Sequence, residues 1–162
     1  MLLGAFTLFH VVLSLIGIGT GLVVAYGLLQ SQRMEGWTSW FLWTTVATSV
    51  TGFMFPVDHI TPGHILGVLS LILLTFAILA RNKYKLAGRW LRTYVITSMI
   101  ALYFNVFVLI VQLFQKAPLL KELAPTQTEA PFAVAQLVAL LVFAALIIRA
   151  AMKFHVDPPR TV

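Results

Sequence analysis

The chain has 162 residues, of which 60% are hydrophobic and only 10% are charged, against about 25% charged in a soluble domain; its mean hydropathy is +0.95. These proportions exclude an ordinary water-soluble enzyme, a nucleic-acid-binding module and a disordered segment. Eleven Lys and Arg against five Asp and Glu give a formal charge of +6, and the absence of cysteine excludes a disulfide framework, a thiolate metal site and a cysteine nucleophile.

Crossing a hydrocarbon core about 30 Å thick takes about 20 mostly apolar residues in a helix. Five uncharged stretches have that length: residues 1–32 ahead of Arg33, Gly36 to Val57, His59 to Ala80, Thr93 to Gln115, and Ala130 to Ile148. They predict an all-α fold, a five-helix transmembrane bundle in one integral-membrane domain over residues 1–162, with helices at about 2–30, 37–55, 62–80, 90–115 and 129–152. No alternating pattern points to a β-barrel. The first stretch lacks a positive n-region and far exceeds an h-region of about 7–15 residues, so it reads as a retained helix rather than a signal peptide. It is longer than the core is thick and is expected to tilt or protrude.

Local signals set the helix ends. Pro56 stops the second helix. Thr61-Pro62 starts the third, with Thr61 as cap and Pro62 where a missing N–H costs nothing. For the fifth, a capping box from Thr126 to Glu129 would put Pro131 where a donor is needed, so Thr128 is the preferred cap. Gly17 and Gly21, and Gly63 and Gly67, form GxxxG pairs, which permit close helix approach within the chain or between subunits.

The charges alternate along the connections. With the first, third and last charged intervals on one side, that side holds nine basic residues: Arg33, Arg81, Lys83, Lys85, Arg89, Arg92, Arg149, Lys153 and Arg160. The other side holds Lys116 and Lys121. Because Lys and Arg accumulate in cytoplasmic loops, the N-terminus is expected outside and the C-terminus in the cytoplasm. Trp37, Trp40, Trp43, Trp90, Tyr26, Tyr84 and Tyr94 fall near the same cytoplasmic boundary, as an aromatic belt would.

Polar side chains within the spans are expected to face inward, because an unpaired polar group in hydrocarbon is costly. Tyr94, Ser98, Asn105, Gln112 and Lys116 follow each other at intervals of four or seven residues and form one stripe on the fourth helix. Thr44, Thr48 and Thr51 form another on the second, with Thr45 and Ser49 alongside. His10, His64, Asn105, Gln112, Lys116 and Gln136 all fall in the outer half. They are the candidate lining of an outward-facing pocket for a small ligand or a transported solute, with no catalytic residue assigned. Interhelical hydrogen bonding is the competing explanation. Leu119, Leu120 and Leu123 beside Lys121 and Glu122, stiffened by Pro118, Pro125 and Pro131, predict a short amphipathic turn over the outer end.

The histidines leave further options open. Asp58, His59 and His64 make a weak metal-ligand set, without the spacing of a zinc motif. His10 and His64, at similar depth on different helices, could ligate haem b, and His64, Asn105, Gln112 or Lys116 could hydrogen-bond a quinone. His155 reads as solvated in the cytoplasmic tail. A haem would show as Soret absorbance in the purified protein.

Four strings complete the reading: Thr51-Gly52-Phe53-Met54-Phe55-Pro56; Thr61-Pro62-Gly63-His64; Tyr103-Phe104-Asn105-Val106-Phe107-Val108; and Ala124-Pro125-Thr126-Gln127. Over about residues 45–150 the chain resembles a group of short uncharacterised bacterial inner-membrane proteins. The resemblance implies a multi-pass inner-membrane location and brings no activity with it. Expected partners are the lipid bilayer and, through the GxxxG faces, a homo-oligomer or a larger membrane complex, but no nucleic acid.

Overall fold

Long runs of Leu, Val, Ile and Ala satisfy their backbone groups without water as helix or as a closed barrel, and these runs lack the alternation of barrel strands. The computed structural model describes residues 2–56 and 61–155, and among these every regular element is helical. The helices are α1 (Leu2–Leu29), α2 (Glu35–Gly52), α3 (Pro62–Ile78), α4 (Arg89–Lys116), α5 (Pro118–Leu123) and α6 (Ala130–Lys153). A five-residue π-helical turn, Leu79–Lys83, continues α3. Among the described residues four helices are long and apolar enough to cross a membrane: Leu3–Leu29, Pro62–Lys83, Arg89–Lys116 and Ala130–Lys153. The expected second span, α2, falls short of that measure, because its 18 residues include Glu35, five threonines and two serines.

The ends differ from expectation in instructive ways. Helix α2 stops at Gly52, ahead of a turn through Phe53 to Phe55, rather than running on to 55. Helix α6 is capped by Glu129, not Thr128, and Pro131 occupies its second helical position. The π turn follows from the exit of α3. Tyr84 N–H donates to Leu79 O at 3.0 Å and Leu86 N–H to Ala80 O at 2.9 Å. That winding puts Lys85 (φ 50°) and Leu86 (φ 60°) in the left-handed region, at about 1–2 kcal/mol each for a residue with a Cβ. Burial of the Leu86 side chain in the core offsets part of this cost. Gly88, with φ 53° and ψ −122°, then turns the chain into α4 through a conformation that suits only glycine.

Helix α4 is central and packs on α1, α2, α3 and α6, while α1 and α2 pair along their length. The closest approaches are at glycines. A Cβ on Gly21 would stand 2.5 Å from Leu102 and 2.9 Å from the Phe41 ring; one on Gly17 would stand 3.2 Å from Thr45 Oγ1; and one on Gly67 would meet Phe53 at 3.0 Å. Three of the four GxxxG glycines are thus used inside the chain. The fourth, Gly63, meets only Thr61 of its own turn.

Packing is uneven along the bundle axis. Val24, Leu28, Phe41, Leu42, Leu74, Ala77, Val95, Met99 and Leu102 form the buried core. This core lies in the half nearer the basic loops. In the opposite half, every residue of α4 from Tyr103 to Gln112 is only half-buried. Tyr94, expected in the aromatic belt, is instead 3% exposed and belongs to the core. Trp37, Trp40 and Trp43 are exposed on α2, as a belt requires.

Gly21→Ala is expected to lower stability by about 1–3 kcal/mol through overpacking against Leu102 and Phe41. Gly19→Ala, which meets nothing within 4 Å, should gain roughly 0.5–1 kcal/mol from helix propensity. Unfolding midpoints in one mild detergent compare the two.

Candidate functional site

The polar stripe of α4 opens progressively along the helix. Tyr94 and Ser98 are buried, Asn105 and Gln112 are half-buried, and Lys116 is exposed. The periodicity therefore places these residues on one inward face, and the widening of the bundle decides how much of that face each neighbour covers.

Asn105, half-buried, reaches across to two other helices. Its Nδ2 donates to Thr45 Oγ1 at 3.4 Å, and it would lie 3.6 Å from a Cβ on Gly17. One polar contact thus joins α1, α2 and α4. Gln136 on α6 donates from Nε2 to Phe107 O at 3.2 Å, while its Oε1 is buried with no hydrogen-bond partner. Thr48 Oγ1 and Ser70 Oγ are likewise buried and unpartnered. The other threonines of α2 are mostly satisfied by their own helix, as with Thr44 to Trp40 O at 2.6 Å and Thr51 to Ala47 O at 2.7 Å.

The two membrane histidines have local partners. His10 Nδ1 lies 2.8 Å from Thr51 Oγ1, and its ring meets Phe55 edge-on at 5.1 Å. His64 Nδ1 accepts from Thr61 N–H at 3.3 Å and lies 2.7 Å from Thr61 Oγ1. That is the reciprocal arm of a capping box, with His in the place usually held by Glu or Gln. A backbone N–H can only donate, so Nδ1 is the acceptor in this contact. The His64 ring packs on Phe53 at 5.6 Å and borders an apolar groove formed with Ile65, Val68 and Leu69.

No hydrogen bond joins any two of the six residues His10, His64, Asn105, Gln112, Lys116 and Gln136; the side chains of Gln112 and Lys116 take part in none among the described residues. Thr51, in the last turn of α2, receives His10, and Phe53, in the turn just past it, receives the His64 ring. Among the described residues no three His, Cys, Asp or Glu gather as metal ligands. Two of the three expected metal ligands, Asp58 and His59, lie outside those residues.

The far connection folds back on α4. Its six-residue α5 is the amphipathic turn the sequence predicts, with Leu119 and Leu123 exposed. Beyond it, Gln127, at φ 60°, donates from Nε2 to Val111 O at 2.9 Å and accepts from Gln115 at 3.4 Å. Glu129 receives Thr126 Oγ1 at 2.8 Å and the amides of Thr126 and Thr128 at 3.2 and 3.1 Å. Desolvation, the largest single influence, pushes the Glu129 carboxyl up, but the Thr126 hydroxyl and the amides of Glu129, Thr126 and Thr128 together outweigh it and hold the carboxyl below its ordinary range.

At the opposite, basic end the structure reveals a cluster that charge counting treats only as a topology signal. Arg81 Nη2 donates to Glu35 Oε2 at 2.7 Å, to Glu35 O at 3.0 Å and to Ser39 Oγ at 3.0 Å. Beside it Tyr94 donates to Thr38 Oγ1 at 3.4 Å, across a cavity of about 20 Å³ bordered also by Leu86 and Phe154. That space suits a water molecule or so. The available sequence signal was that Glu35 is the one acid near five basic residues of the third interval. His155 is exposed, as expected, but bonded: its N–H donates to Ser31 Oγ at 3.0 Å.

These features define an all-helical protein with four helices apolar enough to cross a membrane. Comparison with protein-family models, with curated proteins and with solved structures finds no match.

The Glu129 latch has a definite pH dependence. A carboxyl held below its ordinary value stabilises the fold above that value and loses the contribution as pH falls through the lowered one. Acidification from neutral to below 4.5 should therefore loosen the 124–129 segment in the wild type. Glu129→Gln should behave the same at both pH values, as read by hydrogen exchange of that segment.

Proposed function

We propose that the chain is a multi-pass bacterial inner-membrane protein, with its N-terminus outside and its C-terminus in the cytoplasm, that crosses the bilayer five times. Its open outer end takes up a small hydrogen-bonding ligand or transported solute without chemistry. The observation that carries the binding part is the Gln136 acceptor, buried and unpartnered beside the half-open stretch of α4. A buried orphan acceptor costs about 1–3 kcal/mol, and a ligand N–H or O–H entering between α4 and α6 relieves that cost. Asn105, one to two turns deeper, and Gln112, half-buried with unspent donors and acceptors, supply the remaining polarity. His10 and His64 contribute to the shape of the rim through α2.

The proposal for α2 as the fifth span rests on where its polarity goes. Thr44 and Thr51 turn to preceding carbonyls, Thr45 and Thr38 to Asn105 and Tyr94, and Thr48 is buried without a partner. The lipid side is left to Trp37, Trp40, Trp43 and Val50. Three hydroxyls lie against imidazoles, Thr51 at His10, Thr61 at His64 and Ser31 at His155, and the reading takes them as structural contacts of a binding protein.

The test is ligand-dependent thermal stabilisation of the purified protein across a panel of small metabolites. A stabilising compound should lose its effect, by roughly tenfold or more in apparent affinity, in Gln136→Leu and in Asn105→Leu. An unchanged response in both variants removes the pocket and leaves a scaffold.

A further inference from the structure

The basic end holds an arrangement that simple charge asymmetry does not require. Among the described residues its cations are Arg33, Arg81, Lys83, Lys85, Arg89, Arg92, Arg149 and Lys153, and its carboxylate is Glu35 alone. Glu35 is already held by Arg81 at 2.7 Å and Arg33 at 3.7 Å. Four of the remaining cations, Lys83, Lys85, Arg89 and Arg92, crowd into the turn between α3 and α4 and its first helical turn, and all four are exposed.

That turn is built to be stiff. Tyr84 and Trp90, at its two sides, stack face to face with centroids 3.8 Å apart and planes 3° apart, and Lys83 Nζ lies 5.5 Å from the Tyr84 centroid. Ala87 N–H donates to Tyr84 O at 2.9 Å and Trp90 N–H to Ala87 O at 3.1 Å. The electrostatics of the turn are unfavourable as they stand. Helix N-termini carry positive partial charge and prefer acids, yet α4 has no acid in its first turn, Arg89 as its first residue, and a glycine cap that offers no side-chain acceptor. The field of the helix and four side-chain cations add up at one place, with no anion among the described residues to meet them. Close by on α2, Trp37, Trp40 and Trp43 are 51%, 64% and 65% exposed, as residues at headgroup depth would be.

The geometry points to a binding site for the phosphate headgroup of an anionic phospholipid at the α3–α4 turn, with the acyl chains lying along the exposed apolar helix surfaces. The inference rests on the membrane-spanning reading above. A basic site at the level of the headgroups sees anionic lipid at high local concentration, each Lys or Arg near the surface adding roughly a factor of five. The Tyr84–Trp90 clamp holds the cations together before the lipid arrives, so little ordering remains to oppose binding.

The experiment places the full chain in nanodiscs of phosphatidylcholine alone or with one quarter phosphatidylglycerol, at physiological ionic strength. Lipid retention is read by native mass spectrometry, and the unfolding midpoint is measured alongside. The wild type should retain phosphatidylglycerol in preference to phosphatidylcholine and unfold later in its presence. The triple variant Lys83→Gln, Lys85→Gln, Arg89→Gln should weaken that preference on the order of 100-fold. Trp90→Leu and Tyr84→Leu keep every charge but break the clamp, and each should weaken it several-fold.

The proposal is overturned if both clamp variants retain phosphatidylglycerol as the wild type does. It is equally overturned if Arg149→Gln with Lys153→Gln loses as much as the triple variant, which would mean diffuse attraction. A third adverse result is inorganic phosphate stabilising the protein in phosphatidylcholine discs as much as the anionic lipid does. Failure of the chain to enter nanodiscs at all, seen directly by size-exclusion chromatography, refutes the membrane reading instead.

Discussion

The close approach of α1 to α2 and α4 at Gly17 and Gly21 is the contact on which the rest of the bundle depends. Where helices are apolar on most of their surface, small residues at a crossing decide how closely they approach and how well they pack. At Gly21 the Phe41 ring and Leu102 occupy the space a methyl group would need. One turn away, Gly17 admits the hydroxyls of Thr44 and Thr45 and the Asn105 amide. Larger residues at either position would push α1 outward and separate Asn105 from Thr45.

From that contact toward the basic loops, small and branched side chains interlock, and Phe41, Leu74, Met99 and Leu102 are almost wholly covered. In the other direction the helices share fewer close contacts, and α4 is half-covered from Tyr103 to Gln112. The two ends consequently do different work. The packed end holds Arg81 and Glu35 in a fixed pairing and frames a stiff basic turn. The looser end keeps a buried polar atom, Gln136 Oε1, short of a partner. The far connection closes over that end through Gln127 and Glu129, by side-chain bonds to α4 carbonyls and to its own turn. Such bonds break more readily than buried packing.

Hydroxyl bookkeeping explains how α2 tolerates five threonines among its neighbours. A threonine bonded to the carbonyl four residues back leaves nothing exposed to an apolar surrounding, and Thr44 and Thr51 both do this. Thr38 and Thr45 instead accept from Tyr94 and Asn105 across the interface. The tryptophans on the opposite side complete a helix that is polar in composition but not in the surface it presents outward.

Composition, uncharged run length and the lack of a two-residue alternation determined that the chain is helical and where four long apolar helices lie, because such runs satisfy their backbones without water as helix and not as barrel strands. The cap at Thr61 and the inward stripe on α4 were also legible, since both are set by residues within a few turns of one another. The rest was decided by tertiary structure. His64 satisfies Thr61 and packs on Phe53, while His10 pairs with Thr51. Tyr94 leaves the belt for the core because Thr38 is there to receive its hydroxyl. The Arg81–Glu35–Ser39 contact joins residues more than forty positions apart. Spacing along a chain reports the direction of a side chain around its own helix; which neighbour stands in that direction, and how closely, depends on how all the helices pack at once.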